Sequence, residues 1–248
     1  MSTKPLYYCI AHQACSWELP DFMTMIGTGN YSPDTGISMS KDFPELANKN
    51  NYLGEYVALF AIRKILLESN STGFIGLCHY RRFALPKPLG ELRGFNFHAP
   101  PDVLKDLKPD DFFGTGMTPI IPAVVHFTGS VLQQYAASCV ARDLLMFFGD
   151  AVDCNIITSN EAANFLSNNA FITAPTVAYI PVEWFTDIVN SLEIVMTHYY
   201  THHYIERTGY LERSMAFCCE RLQAFLLAKK ANEWGFDKLI SQPLTLII

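Results

Sequence analysis

The sequence predicts one α/β domain, a central and mostly parallel sheet flanked by helices. Three observations carry this expectation. The run Phe74-Ile75-Gly76-Leu77-Cys78 is continuously apolar and is bounded by Gly73 and the proline-rich 85–88, as a strand covered on both faces reads. Apolar residues recur at helical spacing through 51–69, 131–148 and 182–203, and a further helix is expected after a glycine turn at Gly209. Half of the 248 residues are apolar and 17% are charged, enough to fill a large core and too little charge for a disordered chain.

The first strand is expected over 6–12. It ends on His12, which reads equally as a ligand contact at the carboxyl end of a core strand or as a simple strand cap. From 25 to 49 the composition is that of a loop, with turn signatures at Gly27-Thr28-Gly29-Asn30 and Ser32-Pro33-Asp34-Thr35-Gly36. Gly27-x-Gly29 lacks the third glycine of a dinucleotide fingerprint, and no Walker lysine follows. A structureless stretch of that length points to a lid or binding loop, in which Asp34 either holds a sugar hydroxyl or serves as an ordinary turn residue. A helix is then expected from an Asn51 N-cap, through Leu53, Tyr56, Val57 and Phe60, to an end between 69 and 73. Glu55 falls in its second turn, placed either to orient a hydroxyl or only to complement the helix dipole.

The central strand ends in His79-Tyr80-Arg81-Arg82. In covered parallel sheets ligands gather at strand carboxyl ends, and two permanently charged, bidentate guanidiniums there suit a phosphate or carboxylate better than a core. Beyond it, 85–109 reads as a surface excursion. Asp110-Asp111 could form a metal-binding pair, but the preceding Lys108-Pro109 favours a turn before a strand. Short strands are expected at 118–122 and 170–173. His198 and His202, with Glu206 four further, have a spacing that can hold a metal on a helix face but lack the order of a zinc peptidase. The tail 244–248 reads as a packed terminal strand.

A net charge of −6 argues against a surface built for nucleic acid or anionic lipid. No apolar run reaches the ~20 residues of a membrane span, and the first residues lack the pattern of an export leader. The seven scattered cysteines, with no Cys-x-x-Cys pair, fit reduced thiols in the cytoplasm, without disulfides or structural zinc.

Several blocks together resemble a family of bacterial capsule and O-antigen glycosyltransferases with a glycosyltransferase A-type nucleotide-sugar fold, a resemblance covering about residues 6–225. These are the strand ending in His12, Asn48-Lys49-Asn50 followed by Glu55, and above all Ile75-Gly76-Leu77-Cys78-His79-Tyr80-Arg81-Arg82. Weaker are Asn169-Ala170-Phe171-Ile172 and the closing segment from Arg207 to Arg213. The loop Asp34-Thr35-Gly36-Ile37-Ser38 is two polar residues shorter than the family pattern, and Glu220-Arg221 competes with Glu212-Arg213 as the closing pair.

The resemblance implies a hexosyltransferase that binds a nucleotide sugar, a UDP-sugar such as UDP-galactose or its furanose form, through His12, Asn50, Glu55, Arg81, Arg82, Asn169 and Arg213. Glu212, His79, Asp34 and Glu55 are the candidate bases for an inverting transfer. No cofactor and no metal are expected, since two arginines stand where related folds carry a metal-binding Asp-x-Asp. The implied acceptor is a growing cell-surface or lipid-linked glycan, at the cytoplasmic face of the membrane and without a membrane span. Self-association or association with other polysaccharide-assembly enzymes is compatible with this. The rival readings are a catalytically inactive nucleotide-sugar or glycan-binding subunit of an assembly complex, and a sugar-nucleotide hydrolase.

Overall fold

The computed structural model describes residues 6–248, so residues 1–5, on which the reading of an absent export leader partly rests, lie outside the described residues. Its strands in chain order are β1 (Leu6–Ala11), β2 (Met23–Gly27), β3 (Ile37–Ser38), β4 (Phe74–His79), β5 (Arg82–Phe83), β6 (Glu91–Arg93), β7 (Asn96–Ala99), β8 (Ile120–Pro122), β9 (Val124–His126), β10 (Ala170–Ile172), β11 (Ala178–Pro181), β12 (Ile240–Gln242) and β13 (Thr245–Ile247). The helices are α1 (Met39–Asp42), α2 (Pro44–Ala47), α3 (Asn50–Leu53), α4 (Tyr56–Glu68), α5 (Pro109–Phe113), α6 (Val131–Ala136), α7 (Ala141–Asp153), α8 (Ser159–Ser167), α9 (Val182–His202) and α10 (Ser214–Trp234).

The expected fold class holds: a large central sheet is flanked by helices. Its parallel limb runs β3-β2-β1-β4, with Cys9 opposite Cys78 and Ile10 opposite His79. Beyond β4 the sheet forks. One branch continues antiparallel through β11 to β8, to which β12 adds in parallel, and the other runs through β5 to β13, β7 and β6. The last strand therefore lies inside the sheet, antiparallel to β5 on one side and parallel to β7 on the other.

Side chains alternate between the faces of a strand. Tyr8, Ile10, Ile75 and Leu77 point into a core closed by α4, α7, α9 and α10, with Leu59, Phe147, Val189 and Leu222 fully buried there. Tyr7, Cys9, Ala11 and Cys78 point to the other side, where the 85–117 excursion supplies Leu85, Leu104 and Phe112. Tyr7 and Phe112 meet edge to face at 6.0 Å. Gly76 lies under the Tyr7 ring, so any Cβ at that position would overlap the ring, which explains a glycine in mid-strand.

Several sequence expectations are corrected. The helix expected over 51–69 is broken at Gly54, whose φ of 55° and ψ of −130° only glycine adopts freely, so Glu55 is the N-cap residue of α4 rather than a member of a second turn. The 131–148 segment is two helices, because Val140 is extended between α6 and α7. The stretch 25–49 is not structureless: it holds the end of β2, then β3, α1 and α2. Asp110 and Asp111 open α5 instead of preceding a strand, and Asp111 accepts the Lys108 N–H at 2.8 Å as a capping group. Among the described residues, no helix is long and apolar enough to cross a membrane.

Candidate active site

The carboxyl ends of β1, β2 and β4 lie side by side and open onto a cleft of about 440 Å³. Crevices outside the carboxyl ends of strands are where open α/β sheets bind ligands. The sheet contributes His12, Thr28, His79, Tyr80, Arg81 and Arg82, α3 contributes Asn50 and Asn51, and the 3-10 turn Gly209–Arg213 closes the far wall with Glu212 and Arg213.

The structure thus brings together His12, Asn50, Glu55, His79, Arg81, Arg82, Glu212 and Arg213 from sequence positions two hundred residues apart. It does not bring Asp34 or Asn169 there. Asp34 is exposed on the bend between β2 and β3. Asn169 is exposed ahead of β10, its carbonyl accepting the Phe127 N–H at 2.7 Å. The competing closing pair also lies elsewhere: Glu220 and Arg221 are ion-paired at 2.7 Å, with the Arg221 guanidinium 4.7 Å above the Phe171 ring.

The turn between β4 and β5 is fixed by its backbone. His79 pairs with Arg82 across the turn. The Tyr80 N–H donates to Ile10 O at 3.1 Å, Trp17 Nε1–H donates to Tyr80 O at 2.6 Å, and the Ile247 N–H of β13 donates to Arg81 O at 2.9 Å. The side chains are left free by contrast. Among the described residues, Arg81, Arg82 and Arg213 form no ion pair and no side-chain hydrogen bond, so they do not serve as a fold-locking cluster with Glu55 and Glu212. Arg81 rests 5.5 Å from the centre of the Tyr80 ring, whose edge also meets His12 at 4.9 Å. Partial burial, together with the Arg213 and Arg81 charges, holds His12 below the usual imidazole range.

Beneath the guanidiniums lies a short polar chain. Thr176 Oγ1–H donates to Glu55 Oε1 at 3.1 Å, and the same oxygen lies 3.1 Å from His79 Nε2. A hydroxyl has one proton to give, so with it committed to Glu55 the imidazole is the donor and carries its proton on Nε2. His79 is only 6% exposed, and burial holds its pKa below the ordinary value despite the pull of Glu55. His79 is therefore a neutral donor at the floor, while the Glu55 side chain faces the cleft.

Thr176 was not expected from sequence. It is fully buried, on a turn in which Ala174 has a φ of 49°, a left-handed conformation that is strained for alanine and unusual before proline. α10 holds the turn in place: Glu220 Oε1 accepts the Ala174 N–H at 3.3 Å, and Gln223 Nε2–H donates to Pro175 O at 3.1 Å. Strain of this kind persists where the surroundings over-determine it, as at ligand clamps. The available signal was a polar residue directly ahead of the apolar strand β11, which also reads as an ordinary turn. Thr28 and Asn51 are further cleft residues read in sequence only as turn and cap. Thr28 is buried with its N–H on Ala11 O at 2.8 Å, and Asn51 Nδ2–H reaches Glu212 Oε1 at 3.5 Å.

A divalent cation on a diphosphate is a common companion of such folds. Among the described residues no group of three His, Cys, Asp or Glu side chains could hold an ion, and the strand end presents guanidiniums. The donor set does not fit a metal, and no step below is routed through one. The His198, His202 and Glu206 spacing does not make a metal site either. His198 and His203 both turn Nδ1 toward buried Asp150, at 3.0 and 2.9 Å, His202 Nδ1 faces His198 O, and Glu206 lies past the end of α9.

This mixed sheet with a parallel limb, flanking helices and a cleft at its strand ends is a fold shared with a solved glycosyltransferase. The chain is similar in structure to the apo form of WbbM, a bifunctional glycosyltransferase, with a TM-score of 0.79 at 15% sequence identity, over 99% of this chain and 45% of that one. The chain thus spans less than half the length of that protein. No family model and no curated protein matches the sequence.

Proposed function

We propose that this chain transfers a sugar from a nucleoside-diphosphate sugar, a UDP-hexose by the resemblance of its motifs, to a hydroxyl of a growing cell-surface glycan, with inversion and without a metal. The observation that carries the reading is the set of three unpaired guanidiniums, Arg81, Arg82 and Arg213, facing the same cleft as Glu55 and Glu212. In the displacement the acceptor oxygen bonds to the anomeric carbon as the bond from that carbon to the diphosphate oxygen breaks. The electron pair leaves with the diphosphate, whose growing charge the guanidiniums offset. The acceptor proton passes to Glu212, the carboxylate on the rim, while Glu55, fixed by Thr176, orients a sugar hydroxyl. His79 keeps that carboxylate in place through the shared threonine. The cytoplasm, at the face where a lipid-linked glycan presents its hydroxyl, is the proposed setting.

Release of nucleoside diphosphate from a panel of nucleotide sugars, with and without glycan acceptors and in excess EDTA, tests the reading. Transfer that needs an acceptor and survives EDTA is the expected result. Release to water alone would make the protein a hydrolase, binding without release would make it an inactive subunit, and an absolute metal requirement would overturn the role given to the arginines.

A further inference from the structure

Beside the cleft, three tyrosines from two segments pack ring on ring. Tyr52 of α3 stacks on Tyr200 of α9 at 5.5 Å and 22°, Tyr200 stacks on Tyr204 at 5.1 Å and 24°, and Tyr52 meets Tyr204 at 5.7 Å and 45°. Clusters of this kind normally fill cores, yet here Tyr52 and Tyr204 are half-buried and Tyr200 lies over them facing water. Tyr200 is 49% exposed, the adjacent Ile205 45%, and Tyr210, tilted over Phe217, 64%. Exposed aromatic groups gathered in one place mark interaction surfaces.

The shelf borders the cleft, because α3 packs against the 3-10 turn Gly209–Arg213 that forms the cleft's far wall. Tyr52 follows Asn51, whose amide reaches Glu212, and Tyr210 sits between the cleft residues Gly209 and Glu212. Glu212 Oε1 accepts from the amide of Asn51, the residue before Tyr52, and exposed Glu206 follows Tyr204 by two residues; partial burial raises the Tyr204 phenol pKa, and these carboxylates act in the same direction. Glu212 therefore belongs to two surroundings at once: the cleft with its guanidiniums, and the rim with its tyrosines.

We infer that this tyrosine shelf is the acceptor subsite and that its occupant is a neutral glycan, an inference resting on the reading of the cleft as a donor site. Sugar rings offer C–H faces that pack on aromatic faces and hydroxyl edges that bond to phenols and carboxylates, and rigid tyrosines order at little entropic cost. The charge pattern selects against the other occupants. Glu206 and Glu212 flank this surface while Arg142 and Arg207 nearby both engage buried Asp143, so anionic lipid and phosphate are drawn to the cleft arginines instead. A glycan lying on the shelf brings a hydroxyl to Glu212.

The test titrates neutral oligosaccharides of two to six hexose units, and separately UDP, into the wild type and the Tyr200→Ala, Tyr210→Ala, Tyr200→Phe and Tyr210→Phe variants. Saturation-transfer NMR and calorimetry provide the readouts, and each variant's melting temperature is checked. The wild type is expected to bind at least one oligosaccharide. Each alanine variant should weaken that binding roughly five- to tenfold, each phenylalanine variant should keep it within about twofold, and UDP affinity should not move. The inference is overturned if no oligosaccharide binds the wild type, or if the alanine variants bind as well as it does. It is equally overturned if the tyrosines instead govern uptake onto phosphatidylglycerol or phosphatidylcholine vesicles, or self-association in sedimentation. The UDP arm separates the two readings: UDP binding without oligosaccharide binding removes the shelf and leaves the donor site, whereas loss of UDP binding in the wild type removes the donor site whatever the oligosaccharides do.

Discussion

Replacing Arg81 or Arg82 with methionine separates an anion site from a structural cluster, and the structure sets the magnitudes. Neither guanidinium has an ion pair or hydrogen bond within the described residues, and Arg81 is exposed. Truncating such side chains changes folding stability by no more than about 0.5 kcal/mol. Stability should therefore stay near that of the wild type at neutral pH, where His12, its pKa already lowered, carries no charge for these cations to repel. Binding behaves oppositely. A hydrogen bond to a charged group contributes ~1.5–3 kcal/mol, so each arginine should cost UDP affinity roughly 10- to 150-fold. The double substitution should fall short of the product, since neighbouring groups on one ligand are not additive. Lysine should recover only part of the loss, because an ammonium lacks the bidentate fork. Calorimetric titration of UDP at fixed low ionic strength, paired with thermal unfolding of the same samples, reads both quantities. A lowered melting temperature with UDP affinity intact would refute the reasoning and return the arginines to the scaffold.

Three further outcomes follow from particular residues. Gly54→Ala forces a side chain into a glycine-only conformation and against the Arg213 guanidinium; about 1–3 kcal/mol of stability should go, along with UDP affinity, and an unchanged melting curve would contradict this. Thr176→Val keeps the shape but strands Glu55 and His79; a loss of about 1–3 kcal/mol in urea unfolding is expected, with kcat falling more than KM rises, and an unaltered kcat would detach the threonine from the chemistry. Burial lowers the folded pKa of His79, so the unfolded chain takes up its proton first; the stability this imidazole contributes is whole above the unfolded value of about 6.5 and is lost as pH falls from there toward the folded value. The slope of stability against pH in that window should shrink in His79→Gln and persist in a surface His126→Gln control.

The parts of this molecule that were legible in its sequence are those fixed by local pattern. A continuous apolar run bounded by glycine and proline reads as a covered strand without knowledge of its neighbours, and two arginines at its end are too costly to bury. Illegible were features that exist only through contacts distant in the chain. Glu55 looked like a helix-interior residue because nothing local distinguishes Gly54 in an ordinary helix from Gly54 at a break; the difference is the Arg213 side chain packed against it. Thr176 gains its meaning from α10 and from His79, far away in sequence. Asp34 and Asn169 had credible local chemistry, yet the folded chain leaves both on other surfaces.

The backbone bond from Ile247 to the carbonyl of Arg81 has a consequence for biosynthesis. Among the described residues the hairpin of β6 and β7 joins the sheet only through β13, and the arginine turn is anchored by the same strand, which leaves the ribosome some 160 residues after it (from residue 82 to residue 245). Until then a nascent chain carries β5 with an open edge and the guanidiniums on a turn that lacks one of its three backbone anchors. Loop closures of that span are slow, and open edges invite pairing with other chains. The nucleotide binding proposed for the cleft would then depend on β13 having been made, and removal of 245–247 should weaken it although every residue lining the cleft is present.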